Sequence, residues 1–361
     1  MATTQTPSSL RPAWAWRVRR PHPAWLLLFL PVMLAVAWRG ATRDTDTYID
    51  AFAQTLNFPS DPLGYYGSFG MEWGFGLLSW VLNGIGLGPV ALFFVYSLLT
   101  FWFLAIAARR VGLSLPAIAP YYLGSFFLLQ QLMQIRQGLG MAFALAMLTL
   151  IPAGRLPLWK TAAAVVAAAC MHATAVFLLV GARLLHLTTP RPTRLRLLLW
   201  CVVIAALSVL AARAFMQLDV ISALGRLSVY AVDEEYSGDR SLLAPANIRA
   251  ELLLLLFVLA APPALLQTRV YRLMVGLFAA SLGLRLGFYD FLILSARLSS
   301  ALGFVEVLLM PMLVRAAVQQ KGLRIAIATT YLLVHAAATL ALQAPYLIDD
   351  YLTPLPATAA H

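Results

Sequence analysis

Carboxylates, guanidiniums and histidines are scarce in this sequence, and several stand where apolar runs begin, end or break. The first group is Arg43-Asp44-Thr45-Asp46-Thr47-Tyr48. Acids, hydroxyls and a tyrosine in one short stretch can bind sugar hydroxyls, and a carboxylate can serve as a general base. Taken alone, the stretch also reads as a solvated loop. Glu72 starts the step Glu72-Trp73-Gly74-Phe75 into a Gly-studded apolar run. A carboxylate there must face a polar cavity, because burial against lipid is costly. Arg136, in Ile135-Arg136-Gln137-Gly138, separates two long apolar runs with almost no loop. Such an arginine either snorkels to the interface or lines a cavity. Gln130, Gln131, Gln134 and Gln137 make a polar stretch around it that snorkelling does not require. His172, in Cys170-Met171-His172-Ala173-Thr174, interrupts an otherwise apolar segment. It can orient a substrate, exchange a proton, or simply hydrogen-bond a nearby carbonyl.

Later in the chain Arg249 and Glu251 open an apolar run, and Arg285 and Arg297 flank the Tyr289-Asp290 turn. The planar guanidinium fork suits phosphate oxygens, so several arginines beneath one surface suggest a pyrophosphate-bearing ligand. Local ion pairs, Arg249 with Glu251 or Arg297 with Asp290, are the alternative. Arg297 and Glu306 fall on opposite faces of one helix and are not expected to pair. His172 has no second histidine or cysteine at ligand spacing, so no metal site is expected. Nucleotide-binding loops, hydrolase elbows and HExxH patterns are absent in any convincing context, which argues against nucleotide hydrolysis and serine-hydrolase chemistry.

The elements that must position these groups are set by composition. Of 361 residues, 61% are hydrophobic and 11% charged, and the mean hydropathy is +0.80. A soluble domain carries about 25% charged residues. The apolar runs lack the period-2 alternation of a β-barrel, so the fold class is all-α: a polytopic transmembrane helical bundle of about 9–11 spans, with re-entrant or broken helices. The net charge of +11 reads as loop retention by the positive-inside rule rather than nucleic-acid binding. Cys170 and Cys201 lie inside apolar runs and read as small core residues.

Residues 1–23 form a basic tail expected to be disordered and cytoplasmic. Residues 24–345 form one transmembrane domain with outer loops at about 39–73 and 213–247, and 346–361 a short tail outside. Two runs, 74–86 and 160–186, are awkward as full spans. If the first is re-entrant and the second folds back near His172, then Arg109, Arg110, Arg155 and Lys160 fall inside. The acids then lie at the outer side, Asp219, Asp233, Glu234, Glu235 and Asp239 among them, with Glu306 the exception, buried in a span.

In their order and spacing, four segments resemble the EpsG-like family of Wzy-type polysaccharide polymerases. They are Asp44–Tyr48 (DTDTY), Glu72–Leu78 (EWGFGLL), Ile135–Ala142 (IRQGLGMA) and Cys170–Val176 (CMHATAV). Ala296-Arg297-Leu298 resembles the family's C-terminal arginine. Thr174 matches the family's hydroxyl residue after the histidine loosely, and Gly140-Met141 intervene before Ala142. The resemblance implies a metal-independent glycosyltransferase without cofactor, in the bacterial inner membrane. It would transfer a chain from undecaprenyl pyrophosphate to an acceptor repeat at the outer face. Arg136, Arg249 and Arg297 would meet pyrophosphates; Arg43, Asp44, Tyr48 and Gln137 would bind substrate; Asp46 or Glu72 would be the base; and His172 would orient acceptor or leaving group. Implied partners are lipid-linked saccharides and the bilayer, with a flippase and a chain-length regulator as candidate protein partners. A lipid-linked saccharide flippase, a polysaccharide ligase and a membrane acyltransferase are the competing readings.

Overall fold

The structure, a computed structural model, describes residues 24–191, 193–217 and 243–355. The basic segment 1–23, most of the 213–247 loop with its five acids, and the last residues of the chain lie outside the described residues. Among the described residues there are helices and turns and no strand.

After a short turn at Ala24–Leu27, α1 (Leu30–Ala37) leads into the segment read as an outer loop. That segment is largely helical: α2 (Thr45–Ala53) and α3 (Pro62–Phe69) precede α4 (Trp73–Gly84) and the long α5 (Pro89–Arg110). Tyr48, Ile49, Phe52 and Tyr65 pack with Phe75, Phe93 and Tyr96, so α2 and α3 are held down by an aromatic core. Burying such rings supplies large apolar area, and it fixes the DTDTY stretch against the bundle.

Next come α6 (Leu115–Tyr122), a π-helical turn at Leu123–Phe127, α7 (Leu128–Leu132) and α8 (Ile135–Leu148). The run 160–186 is broken, as its histidine suggested. α9 (Leu158–Met171) stops at His172, whose backbone is extended, and α10 (Ala175–Thr188) begins three residues later. Then follow α11 (Arg194–Gln217), α12 (Pro245–Leu259) and the central α13 (Arg269–Gly287). The chain closes with α14 (Leu292–Gly303), α15 (Glu306–Ala317), α16 (Lys321–Ala338, continued by a π-helical turn to Gln343) and α17 (Leu347–Leu352).

Among the described residues four helices are long and apolar enough to cross a bilayer: α5, α11, α13 and α16 with its π-turn; Leu294–Gly303 with α15 makes a fifth, bent by 41°. The sequence led us to expect about nine to eleven spans. Beside the long helices stand shorter apolar ones: α8, α9 and α10 are 14 residues each, about 21 Å against a hydrocarbon core of about 30 Å, the last two being one apolar run broken at His172. Beyond 345, the described residues, up to 355, are docked rather than loose. The Tyr351 hydroxyl donates to Ala35 O at 2.9 Å, and Ala41 N donates to Thr353 O at 3.0 Å.

The two ends of the bundle differ in chemistry. At one end, arginines reach across helices to backbone carbonyls: Arg315 to Gly112 (2.8 Å), Arg194 to Ala261 (3.1 Å), Arg269 to His186 (2.9 Å), and Arg110 to Ala146. Most of those carbonyls lie at helix C-termini or just beyond, where cations satisfy unpaired oxygens and oppose the helix dipole. The other end gathers Glu72, Arg136, His172, Arg249 and Glu306.

Candidate functional site

Three helix starts meet at the carboxylate of Glu72. Glu72 itself immediately precedes α4, Arg136 is the second residue of α8, and Ala173 lies in the break before α10. Arg136 Nη1 forms an ion pair with Glu72 Oε2 and also donates to Gly70 O at 3.3 Å. Ala173 N donates to Glu72 Oε1 at 3.4 Å, and His172 Nε2 lies 4.0 Å from the same oxygen. Helix N-termini carry partial positive charge and exposed N–H groups, so their convergence makes the place suited to anions.

The imidazole's orientation is fixed by its own loop. His172 Nδ1 lies 2.7 Å from Thr174 Oγ1 and accepts from Thr174 N at 3.3 Å. An acceptor at Nδ1 puts the proton of the neutral ring on Nε2, the nitrogen that faces Glu72. Close helix approach depends on two glycines. A Cβ at Gly74 would lie 2.5 Å from Cys170 O, and one at Gly140 would lie 3.2 Å from the His172 Cβ. The glycines of EWGFGLL and IRQGLGMA thus let α4 and α8 come up to the histidine turn.

Around this pair the second ring of groups is aromatic and cationic. The Arg136 guanidinium stands 5.6 Å above the Tyr48 ring, a contact worth about 0.5–2 kcal/mol. Gln137, 1% exposed, donates to Ser300 Oγ at 2.9 Å, and Ser300 Oγ in turn donates to Arg297 O at 3.0 Å. Asp44, ahead of α2, is subject to the charges of Arg136, Arg297, Arg39 and Arg43. Burial nonetheless pushes its carboxyl above the ordinary range. Arg136 Nε and Gln137 Oε1 are buried and, among the described residues, have no hydrogen-bond partner.

The other residues singled out in the sequence fall elsewhere. Asp46 is exposed on α2, so of the two base candidates Glu72 is the one in contact with Arg136 and His172. Arg43 is exposed and donates to the Tyr346 hydroxyl at 3.3 Å, joining the first loop to the C-terminal segment. Arg249 enters a separate cluster. It pairs with Glu306, and donates to Ser125 Oγ, the Tyr331 hydroxyl and His335 Nδ1, each at 3.1 Å. The local pairs considered from sequence do not form: Glu251 is exposed, and Asp290 takes Arg213. Two residues apart on one helix, Arg249 and Glu251 point to different faces. Among the described residues no three of His, Cys, Asp and Glu gather as a metal set.

Arg39 escaped the sequence reading. It is fully buried, 4.7 Å over the Phe93 ring and 5.9 Å over that of Tyr48, and among the described residues neither terminal nitrogen has a hydrogen-bond partner. Its place between an apolar run and DTDTY was the available signal, since an arginine there either turns outward or supports the first motif from beneath.

These features define a polytopic α-helical membrane protein with a cation-rich polar site at one end of its bundle. A family model, the EpsG family, matches residues 24–351. The match covers nearly the whole chain, and the protein belongs to that family, which fits a membrane protein of polysaccharide-polymerase type. No curated protein and no solved structure matches the chain.

Proposed function

We propose that the protein polymerises lipid-linked saccharide repeats, transferring the growing chain from undecaprenyl pyrophosphate to the non-reducing sugar of an incoming repeat. One observation carries this reading: Glu72, Arg136 and His172, from three separate motif segments, meet at three helix starts. In the reaction, an acceptor hydroxyl oxygen attacks the anomeric carbon and its proton passes to Glu72. The bond from that carbon to the pyrophosphate oxygen breaks, and the electron pair leaves with the pyrophosphate. Arg136 and Arg297 take up the developing charge. His172, with its proton on Nε2, donates to the acceptor or the leaving oxygen. Asp44, Tyr48, Gln137 and Arg43 bind sugar and phosphate oxygens, and Arg249 meets a second pyrophosphate.

The energy comes from the glycosyl–pyrophosphate bond, so no nucleotide is required, and guanidiniums rather than a metal ion meet the leaving charge. The arginine-rich opposite end supports a cytoplasmic N-terminus and a site at the outer face of the inner membrane.

Reconstitution of the full chain with a defined lipid-linked repeat is expected to give a ladder of products on a gel, unchanged by EDTA. Unchanged substrate would reject the reading. Products in which a single chain moves to a non-repeat acceptor would make the protein a ligase.

Gly74→Ala tests the geometry without touching a charge. The new Cβ meets Cys170 O at 2.5 Å, so Glu72 must move relative to His172. A misplacement of about 1 Å costs about 10²-fold. We expect ladder formation to slow by about that factor in protein that still inserts and extracts, with stability lowered by about 1–3 kcal/mol. Full activity would show that the apposition is not needed.

A further inference from the structure

Arg39 carries a charge that packing does not explain. It lies just beyond α1 with no exposed surface. Burial lowers its pKa to about 10, which leaves it protonated at neutral pH. Among the described residues it enters no ion pair, and its guanidinium makes one hydrogen bond, from Nε to Thr42 Oγ1 at 3.3 Å. The acid whose charge reaches it is Asp44, and that carboxylate also answers to Arg136, Arg297 and Arg43. Taking a cation out of water against two aromatic rings and one hydroxyl costs more stability than those contacts return. A methionine would fill much the same space without that penalty. A charge kept in spite of it, inside a membrane protein, marks a functional group.

The guanidinium is held in place by the same contacts that hold the first motif. Thr42 Oγ1 accepts from Arg39, gives its own proton to Leu132 O, and accepts from Thr45 Oγ1 at 2.8 Å. Leu132 ends α7, three residues before Ile135-Arg136 opens α8. The turn ahead of α2 is thus bolted to the stretch that delivers Arg136. Tyr48 makes the second connection. Its ring centre lies 5.9 Å from the Arg39 guanidinium and 5.6 Å from that of Arg136, so the two cations stand within about 12 Å of each other. Their charges differ in what they meet. Arg136 is paired with Glu72, whereas Arg39 faces the rings of Phe93 and Tyr48 and no carboxylate in contact.

We propose that Arg39 is an electrostatic positioning residue, a fixed cation beneath the DTDTY turn that touches no substrate and draws the substrate's anionic group to Arg136. A unit charge about 12 Å away, at an effective dielectric of about 20, changes the binding of a singly charged group by about tenfold. Acting alike on the bound substrate and the transition state, it changes KM and leaves kcat alone. Which anion is drawn rests on the polymerase reading; the attraction itself does not, and binding alone can read it.

The full chain, Arg39→Met and Arg39→Lys are compared in nanodiscs for melting, for affinity toward inorganic pyrophosphate, and for KM and kcat with the lipid-linked donor. Methionine keeps packing against Phe93 and Tyr48 and removes the charge. Arg39→Met is expected to melt at or above the parent and to bind pyrophosphate about tenfold more weakly. Its donor KM should rise by about the same factor, with kcat within about twofold of the parent. Arg39→Lys restores a charge without the Nε bond to Thr42, and should recover most of the affinity. A purely structural arginine gives another pattern: Arg39→Met melts lower, kcat falls with the melting temperature, and lysine does not rescue. That pattern would overturn the assignment, as would parental pyrophosphate affinity and KM in Arg39→Met. Weaker pyrophosphate binding in Arg39→Met, rescued by lysine in a protein that gives no ladder, sustains the role and sinks the polymerase reading. A ladder with parental KM in Arg39→Met does the reverse. No pyrophosphate binding and no ladder from the parent would remove both.

Discussion

Arg136→Ala is expected to stop chain growth, lowering turnover by about 10³-fold and raising KM for the lipid-linked donor. Two effects combine in that variant. A guanidinium that stabilises the leaving pyrophosphate is lost, and Glu72, whose side chain is 14% exposed, is left as a buried charge without its partner. Stranding one member of a buried pair costs about 3–5 kcal/mol, enough to distort the site by itself. The double variant Arg136→Ala/Glu72→Gln removes the stranded charge and should melt near the parent while remaining inactive. Arg136→Lys should fall between, since one nitrogen, Nη1, makes both protein contacts, to Glu72 and Gly70 O, and a lysine keeps the charge but loses the planar fork that can grip phosphate oxygens beside them. A full-length ladder from the double variant, correctly inserted and stable, would remove Arg136 from the chemistry.

The sequence made the helical class plain, because neither 61% hydrophobic residues nor 11% charged ones suit a soluble surface. It also marked the break at His172, where a polar residue interrupts an apolar run, and the two glycine-bearing motifs. It could not show which charges meet. Glu72 and Arg136 are 64 residues apart, and their pairing depends on α4 and α8 both starting at the same end of the bundle. Arg249 looked equivalent to Arg136, an arginine at the start of an apolar run, yet it joins Glu306 across 57 residues of chain. Short-range pairing rules favoured nearby acids, and tertiary packing overrode them. Asp46 looked as good a base as Glu72 from composition alone. What separates them is the face of α2: Tyr48 turns inward onto Phe75 and Phe93, and Asp46, two residues earlier, turns outward. Arg39 was missed because the pattern of an arginine after an apolar run usually marks a membrane edge, and only the packing of α2 over it makes it interior.

Glu72→Gln is expected to have the second large effect, with a signature that separates a base from a strut. The amide is nearly isosteric and keeps an oxygen able to accept from Ala173 N, but it cannot take the acceptor's proton. Loss of a general base lowers turnover by about 10²–10⁴-fold. At the same time Arg136 is released from its ion pair, and a pyrophosphate no longer competes with a carboxylate for the guanidinium. KM for the donor should therefore fall while kcat falls, the opposite movement in KM from Arg136→Ala. Glu72→Asp keeps the charge one methylene short and should recover part of kcat. The sign of the KM change decides the role. If kcat and KM both worsen in Glu72→Gln, the carboxylate acts mainly by holding Arg136 and the histidine turn in place, and the proton must go to another group.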